Sequence, residues 1–162
     1  MNHAAQFKLR RMTWSDRAAV LQLQVSTEQL AFVDPIRDTL ECDNHERVNF
    51  VLDADNTIIG FFQIAPSRHD AIVADLLVLH EVQIGAAYQG QGYGKQFMLA
   101  LPSFLAHEYP QERGVCLTVN CENPQAYGLY KFGGFVDSGA LYHGGRSGPQ
   151  HIMQRFFKSQ RA

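Results

Sequence analysis

The chain of 162 residues lacks a strong charge of either sign and a long apolar run. Its formal net charge is −2 and its isoelectric point lies near 6.4, so a nucleic-acid partner held by counterion release is not expected. No apolar stretch is long enough to span a bilayer, because the run over residues 76–84 is short and is broken by His80 and Glu81. We therefore expect neither a nucleic-acid nor a membrane partner.

Cysteine is also scarce. Cys42, Cys116 and Cys121 are an odd number, at spacings that build no disulfide framework. Because the N-terminus has no signal-like pattern, we expect reduced thiols and a cytoplasmic location. No repeat, low-complexity segment or linker divides the sequence, so residues 1–162 are expected to form a single domain with a substantial core.

The middle of the chain combines an apolar segment, a glycine-rich loop and an amphipathic segment. Residues 76–84 are dense in Leu, Val and Ile, which is typical of a buried strand. Residues 89–95 read QGQGYGK, and apolar residues over 97–105 then recur at helical spacing. A loop that opens a helix presents N–H groups without intrahelical partners, and glycines let the backbone approach a phosphate closely. This pattern predicts a phosphate-binding loop.

Two familiar phosphate loops do not fit these residues. The Walker loop fails because Gln89 stands at its first glycine position and Gln96 follows the lysine. The dinucleotide fingerprint fails because Lys95 occupies the position of its third glycine. A metal site is not predicted either, since no second histidine follows His80-Glu81 at the spacing of zinc proteases.

The remaining segments alternate between strand-like and helix-like patterns. Strands are expected over residues 7–10, 47–53, 57–64, 76–84, 114–119, 135–141 and 151–157. Helices are expected after a cap at 13–16, from 34–35, after the glycine loop as far as Pro110, and over 125–132. Loops are expected at 66–70 and 142–150. The order β-α-α-β-β-β-α-β-α-β-β favours an α/β fold, a mixed sheet with helices on both faces.

Two motifs in this order resemble the GNAT superfamily of N-acetyltransferases. The first is Gln/Arg-x-x-Gly-x-Gly/Ala, and the second is Asn-x-x-Ala-x-x-x-Tyr followed by Gly-Phe. The matching residues are Gln89, Gly92 and Gly94 in the first motif and Asn123, Ala126, Tyr130, Gly133 and Phe135 in the second. Gly134 is an extra residue compared with the commonest form of the second motif.

The resemblance implies a mostly antiparallel central sheet with helices on both faces, classed as α/β or, in some schemes, α+β. It also implies acetyl-CoA as co-substrate. By resemblance, Val82, Gln83 and Ile84 hold the pantetheine, Gln89, Gly90, Gln91, Gly92, Tyr93, Gly94 and Lys95 form the pyrophosphate loop, and Asn123, Ala126 and Tyr130 complete the site. One N–H group of residues 82–84 would polarise the thioester carbonyl, as oxyanion donors do.

Two roles in proton transfer follow from the resemblance. Tyr130, rather than Tyr127 three residues earlier, is the expected general acid, since a phenol of pKa about 10 can protonate a thiolate of pKa about 8.5 or somewhat above. His80 and Glu81 stand where polyamine-acetylating relatives have their base. His80 departs from the acidic residue that several relatives have at its position. Because adjacent strand residues face opposite ways, only one of the pair reaches the site unless the strand bulges. Glu81 is preferred because it also attracts a cation, and a water chain stays open as an alternative.

The acceptor is expected to be a small primary amine, with polyamines among the candidates. Residues 25–40 resemble the acceptor-side region of bacterial spermine/spermidine acetyltransferases. Their carboxylates Glu28, Asp34 and Asp38, with Glu41 following, are available to a cation. The alternatives are an acetyltransferase for protein lysines or N-termini and a non-catalytic acyl-CoA-binding domain. A closed acceptor side formed by residues 25–40 and 142–150 would favour a small molecule. A homodimer is left open.

Overall fold

The computed structural model describes residues 6–26, 28–42, 46–66, 72–145 and 147–158, so most of the loop predicted at 66–70 lies outside the described residues. The strands are β1 Phe7–Arg11, β2 Val48–Ala54, β3 Thr57–Ala65, β4 Leu77–Ile84, β5 Gly114–Asn120, β6 Val136–Tyr142 and β7 Gln150–Phe156. The α-helices are α1 Arg17–Leu21, α2 Ile36–Glu41, α3 Tyr93–Glu108 and α4 Pro124–Phe132. Short 3₁₀ turns lie at Trp14–Asp16, Gln29–Ala31 and Ala86–Tyr88. The predicted order of elements is confirmed.

The strands form a single sheet in the order β1-β2-β3-β4-β5-β7-β6. Neighbouring strands are antiparallel at every pairing except β4 with β5, which is parallel. The predicted mixed, mostly antiparallel sheet is therefore confirmed. No described helix has the length and apolar character needed to cross a membrane.

Helices cover both faces of the sheet because successive strand residues point to opposite sides. Phe50 of β2 packs with Phe62 of β3 and Phe97 of α3, with ring centroids 5.1 Å and 5.0 Å apart along this row. The next residue, Val51, packs on the other face against Val20 of α1. The larger core thus lies between the sheet and helices α3 and α4, and a smaller core lies under α1 and α2.

Helix α1 is shorter than its apolar spacing predicts. The pattern continues to Val25, but the helix ends at Leu21. Beyond the helix, the carbonyl of Gln24 accepts a hydrogen bond from the N–H group of Ala86, which follows β4. The segment between α1 and α2 is therefore fixed by the end of β4 instead of by helical hydrogen bonds.

A buried ion cluster fixes the start of α1 to the first two strands. Two guanidinium nitrogens of Arg10 donate to the Asp16 carboxylate at 2.6 Å and 3.0 Å, and the N–H group of Thr13 donates to it at 2.7 Å. Arg10 also donates through Nε to Asp53 at 3.1 Å. The hydrogen bonds from Arg10 hold the pKa of Asp16 well below its ordinary value, although burial opposes this effect.

We expect Asp16→Asn to reduce the free energy of unfolding by about 1–3 kcal/mol at pH 7, because it removes one charge of a largely buried pair. The folded-state pKa of Asp16 is lowered, so its contribution is complete above the unfolded pKa of about 4 and is lost as the pH falls below that value. The difference between wild type and variant should therefore shrink below about pH 4. Urea unfolding across this pH range measures it.

Glu122→Gln, which neutralises an exposed carboxylate, provides the matched control and should leave stability nearly unchanged. A penalty for Asp16→Asn that is the same at every pH would contradict the ionic role of Asp16.

Candidate active site

The candidate site begins where the one parallel pair among the described strands comes apart. β4 and β5 are paired at Leu77 with Val115 and at Val78 with Cys116. β4 then continues to Ile84 without further pairing to β5. The diverging ends leave backbone groups of β4 and β5 facing a gap.

A β-bulge in β4 changes which side chains face that gap. Glu81 and Val82 of β4 lie opposite the single residue Phe62 of β3. Glu81 adopts a left-handed φ of +53°, which is uncommon for a residue other than glycine. As a result, Leu79 before the bulge and Val82 after it pack into the same core, on the α3 side. The alternation of β4 is shifted by one residue, so Gln83 lies on the α2 side.

The bulge places Glu81 beside the segment that precedes α2. The N–H group of Asp34 donates to Glu81 Oε2 at 3.2 Å, and Gln83 Nε2 donates to the Asp34 carbonyl at 2.9 Å. Burial, followed by the charge of Asp34, raises the pKa of Glu81. A carboxylate with a raised pKa is a better proton acceptor near neutral pH. His80 is paired with Gln63 of β3, which places it on the α2 face of the sheet.

A cavity of about 380 Å³ lies on the α2 face of the sheet. Its volume falls in the range of small-molecule sites, roughly 300–1,000 Å³. Its lining residues are Asp34, Asp38, Thr39, Cys42, Arg47, Gln63 and Glu81. Of the four carboxylates singled out in the sequence, Asp34 and Asp38 line the cavity, whereas Glu28 and Glu41 do not. No group of three or more potential metal ligands occurs among the described residues.

Sequence reasoning missed Cys42, Arg47 and Gln63 as cavity residues, whereas Thr39 falls within the predicted acceptor-side region 25–40. The available signals are weak. Gln63 is a polar residue within an otherwise apolar strand, and Arg47 immediately precedes a buried strand. Neither signal shows which residues of α2 will lie opposite, because that depends on how α2 crosses the sheet.

The glycine loop has the backbone geometry of an anion cradle. Gly90 and Gly92 have φ values of +74° and +86°, and a Cβ atom at either position would meet nothing within 4 Å. The glycines are thus required by the backbone conformation, and the surface in front of the loop is open. Gly92 is the N-cap of α3, so the N–H groups of residues 93–95 have no intrahelical partners. Gln91 is exposed and donates to the Ala87 carbonyl at 3.0 Å.

Gln89 ties the glycine loop to two neighbouring segments. Its Nε2 donates to the Ile84 carbonyl at 2.9 Å and to Gln29 Oε1 at 2.8 Å. The loop is therefore attached both to the end of β4 and to the segment between α1 and α2. Lys95, by contrast, lies with Nζ 5.2 Å from the centroid of the Phe132 ring, so its side chain contacts α4.

The second motif begins helix α4 and sets the position of its tyrosines. The side chain of Asn123 caps the helix by accepting a hydrogen bond from Ala126 N–H at 3.3 Å. The extra residue Gly134 has φ +85° and forms the turn after the helix, where its N–H donates to the Lys131 carbonyl. The added residue is therefore accommodated by a left-handed turn that suits glycine.

Tyr130 and Tyr127 have different surroundings. The ring of Tyr130 packs edge-on against Phe135 at 5.7 Å, and burial raises the pKa of its phenol to about 12. Tyr127 instead donates to Asp137 Oδ2 at 3.0 Å, and the same oxygen lies 3.2 Å from His151 Nδ1. Tyr127 therefore links α4 to β6 and β7, whereas Tyr130 packs in the core beside Phe135.

Two segments meet across the open end of the sheet. Ser147, in the loop between β6 and β7, donates through Oγ to the Ala31 carbonyl at 2.8 Å. Asn120, at the end of β5, donates through Nδ2 to the Ser147 carbonyl at 2.8 Å. Gln29 of the segment between α1 and α2 also contacts Gln89, which follows β4. These hydrogen bonds therefore attach this segment to the ends of both β4 and β5.

Residues 10–135 match the acetyltransferase (GNAT) family, and the chain belongs to that family. A spermine/spermidine N(1)-acetyltransferase of Bacillus subtilis (strain 168) is 28% identical over 137 residues, which cover 82% of this chain and 90% of the relative. An uncharacterized N-acetyltransferase of the same organism, YbbJ, is 31% identical over 115 residues, which cover 68% and 71%.

Solved structures share the fold at lower identity. A spermidine N-acetyltransferase from Vibrio cholerae in complex with CoA and spermine aligns with a TM-score of 0.71 at 18% identity, over 94% of this chain and 96% of that chain. The aminoglycoside acetyltransferase AAC(6′)-Ib in complex with paromomycin and acetyl-CoA aligns with a TM-score of 0.76 at 16% identity, over 96% and 98%. As a GNAT enzyme, the chain is an N-acetyltransferase that uses acetyl-CoA as its co-substrate.

We expect Gly92→Val to abolish acetyl-CoA binding while the domain stays folded. A β-branched residue at a φ of +86° costs roughly 1–3 kcal/mol, and the loop relieves this strain by moving the N–H groups of residues 93–95. Calorimetric titration with acetyl-CoA measures the effect.

Gly139→Val is the matched control, because Gly139 in β6 also has a positive φ, +82°, and open space around it. This variant should lose a similar amount of stability but bind acetyl-CoA as wild type does. Unchanged affinity in Gly92→Val would place the co-substrate elsewhere.

Proposed function

We propose that this enzyme transfers the acetyl group of acetyl-CoA to the primary amine of a small molecule by direct attack. The observation that carries the proposal is the acidic cavity on the α2 face, lined by Asp34, Asp38 and Glu81. Glu81 belongs to β4, and one short 3₁₀ turn, Ala86–Tyr88, connects β4 to the glycine loop. A cationic amine is attracted to these carboxylates and arrives beside β4, where the acetyl group would be held.

The open loop and the diverging strands fit the co-substrate. Acetyl-CoA supplies an acetyl group activated as a thioester. We assign the pyrophosphate to residues 89–95, whose N–H groups and glycine geometry suit an anion. Val82, Gln83 and Ile84 lie on the part of β4 that β5 no longer pairs, so their backbone groups can hold the pantetheine and polarise the thioester carbonyl. Asn123 and Ala126 are assigned to the same site through the start of α4.

Glu81 is the group we assign to accept a proton from the amine. An alkylammonium of pKa about 10.4 must lose a proton before it attacks, which costs roughly 4–5 kcal/mol at pH 7. The raised pKa of Glu81 narrows the gap between base and amine. The ammonium first releases one proton to solvent. As the neutral amine forms its bond to the acetyl carbon and the bond from carbon to sulfur breaks, the nitrogen gives a second proton to Glu81. His80 and a water chain are the alternatives.

Tyr130 is the group we assign to the departing thiolate. With a pKa of about 12 its phenol stays protonated at physiological pH, so it always presents a hydrogen-bond donor. A thiol has a pKa of about 8.5, so complete transfer of the phenol proton is uphill by roughly 4–5 kcal/mol. Tyr130 therefore stabilises the developing thiolate by donating a hydrogen bond, and as general acid it passes this proton to the sulfur while its phenolate regains a proton from solvent.

The covered acceptor side supports a small substrate over a protein. The segment between α1 and α2 contacts the β6–β7 loop through Ala31 and Ser147, and a peptide substrate would need an open groove there. The names of two relatives, spermine/spermidine N(1)-acetyltransferase and spermidine N-acetyltransferase, make polyamines the first candidates. A non-catalytic acyl-CoA-binding domain is less well supported because both the loop and Tyr130 are present.

We expect Tyr130→Phe to lower turnover by about 10²–10⁴-fold, the usual contribution of general acid catalysis, with little change in acetyl-CoA affinity. Steady-state rates and calorimetry on the same preparation separate the two effects. Tyr127→Phe removes a hydroxyl three residues away on the same helix and should reduce stability while preserving turnover. Wild-type turnover in Tyr130→Phe would make Tyr130 a packing residue.

The acceptor class is tested by comparing spermidine, spermine, putrescine and a lysine-containing peptide through their kcat/KM values with acetyl-CoA. Released thiol provides the readout. We expect at least one small amine to exceed the peptide, because a cavity of about 380 Å³ holds a small amine more easily than a polypeptide. A peptide preferred over every small amine would overturn the proposal of a small acceptor.

A further inference from the structure

One charged group in the acidic cavity is not explained by recognition of a simple amine. Arg47 lines the cavity together with Asp34, Asp38 and Glu81, yet among the described residues it forms no ion pair with any of them. Its Nη1 donates to Gln63 Oε1 at 3.3 Å, and its Nε is buried without a hydrogen-bond partner. A guanidinium has five N–H donors, and among the described residues only Nη1 of Arg47 has a hydrogen-bond acceptor.

Arg47 is held in place by its neighbours. Gln63 is 4% exposed and donates through Nε2 to Asn49 Oδ1 at 2.8 Å, which fixes the amide and turns Oε1 toward Arg47. Both Gln63 and Asn49 lie on central strands of the sheet. The half-buried guanidinium of Arg47 thus has one buried N–H group, Nε, without an acceptor, which is costly, and native proteins usually reserve such a group for a ligand, an ion or water.

A second unused donor faces the same cavity from the opposite side. Thr39 of α2 lines the cavity, and its Oγ1 is buried without a hydrogen-bond partner. A guanidinium and a hydroxyl together form a donor set that suits an oxyanion, and guanidinium groups bind carboxylates through two parallel hydrogen bonds. The cavity therefore offers donors for an anion as well as carboxylates for a cation.

We infer that the acceptor carries a carboxylate in addition to its amine, and that Arg47 and Thr39 bind this carboxylate. The inference rests on the proposed function, because it assigns the cavity to the acceptor. Asp34 and Glu81 bind the amine of this acceptor, so an amino-acid-like molecule finds carboxylates for its ammonium group and donors for its carboxylate in one cavity. A polyamine satisfies only the carboxylates and brings further ammonium groups toward the guanidinium of Arg47.

Two pairs of compounds isolate the carboxylate. Ornithine and putrescine differ only by the carboxylate, and so do lysine and cadaverine. We expect wild type to have a higher kcat/KM for each amino acid than for its diamine. Arg47→Gln should lower kcat/KM for the amino acids by about 10–100-fold, the usual effect of losing a charged hydrogen bond, and should raise it for the diamines. Arg47→Lys should recover part of the lost kcat/KM for the amino acids, because lysine restores the positive charge but cannot form two parallel hydrogen bonds to a carboxylate.

Arg37→Gln is the matched control, since Arg37 lies on the exposed side of α2, pairs with Glu41 and does not line the cavity. It should leave all four kcat/KM values unchanged. A merely structural role of Arg47 would lower the four values together and leave their ratios as in wild type, which would overturn the inference.

Binding separates this inference from the proposed function. Calorimetric titration of ornithine and putrescine into wild type and Arg47→Gln, each saturated with CoA, does not require turnover. Ornithine binding that weakens in Arg47→Gln supports the carboxylate site even where no compound is acetylated, an outcome that counts against the proposed function alone. A wild-type preference for putrescine, or no detectable binding of ornithine, overturns the inference.

Discussion

The pairing of β4 and β5 at two register positions is the constraint on which the rest of the site depends. Beyond Val78, each strand has a sheet partner on one side only, so the backbone groups of two inward-facing edges need other partners. Some are supplied by side chains, since Gln89 donates to the carbonyl of Ile84. The glycine loop, the segment between α1 and α2, and the β6–β7 loop are all attached around this opening. A fully paired sheet would leave no room for a ligand between these strands.

Helix α4 is anchored independently of that opening. Asn123 caps its start, and Tyr127 is bonded through Asp137 to the pair of strands formed by β6 and β7. Asp137 also accepts from its own turn, through Gly139 N–H, and these hydrogen bonds hold the pKa of Asp137 below its ordinary value. The helix that carries Tyr130 is thus anchored at its start and to β6 and β7, which limits how far its phenol can move.

The order of elements was predictable because periodicity, caps and glycines all indicate the same assignment for most segments. The glycine loop could be located for the same reason, since positive φ values at Gly90 and Gly92 restrict the residue type. The bulge at Glu81 could not be predicted, because residues 79–83 contain no glycine or proline to mark it. The cavity lining could not be predicted either, because it depends on how the packing of α2 on the sheet brings Thr39 near Arg47, which precedes β2. The assigned roles of Glu81, His80 and Tyr130 stay predictions.

The position of β7 between β5 and β6 has a consequence for how the chain is made. During synthesis β6 emerges before the strand that joins it to the sheet, and it has no other strand neighbour among the described residues. Until β7 follows, β5 and β6 both expose unpaired edges, the kind of surface on which nascent chains aggregate. The β6 edge of the sheet is therefore the last part to form during synthesis, because β6 can pair only after β7 has emerged from the ribosome.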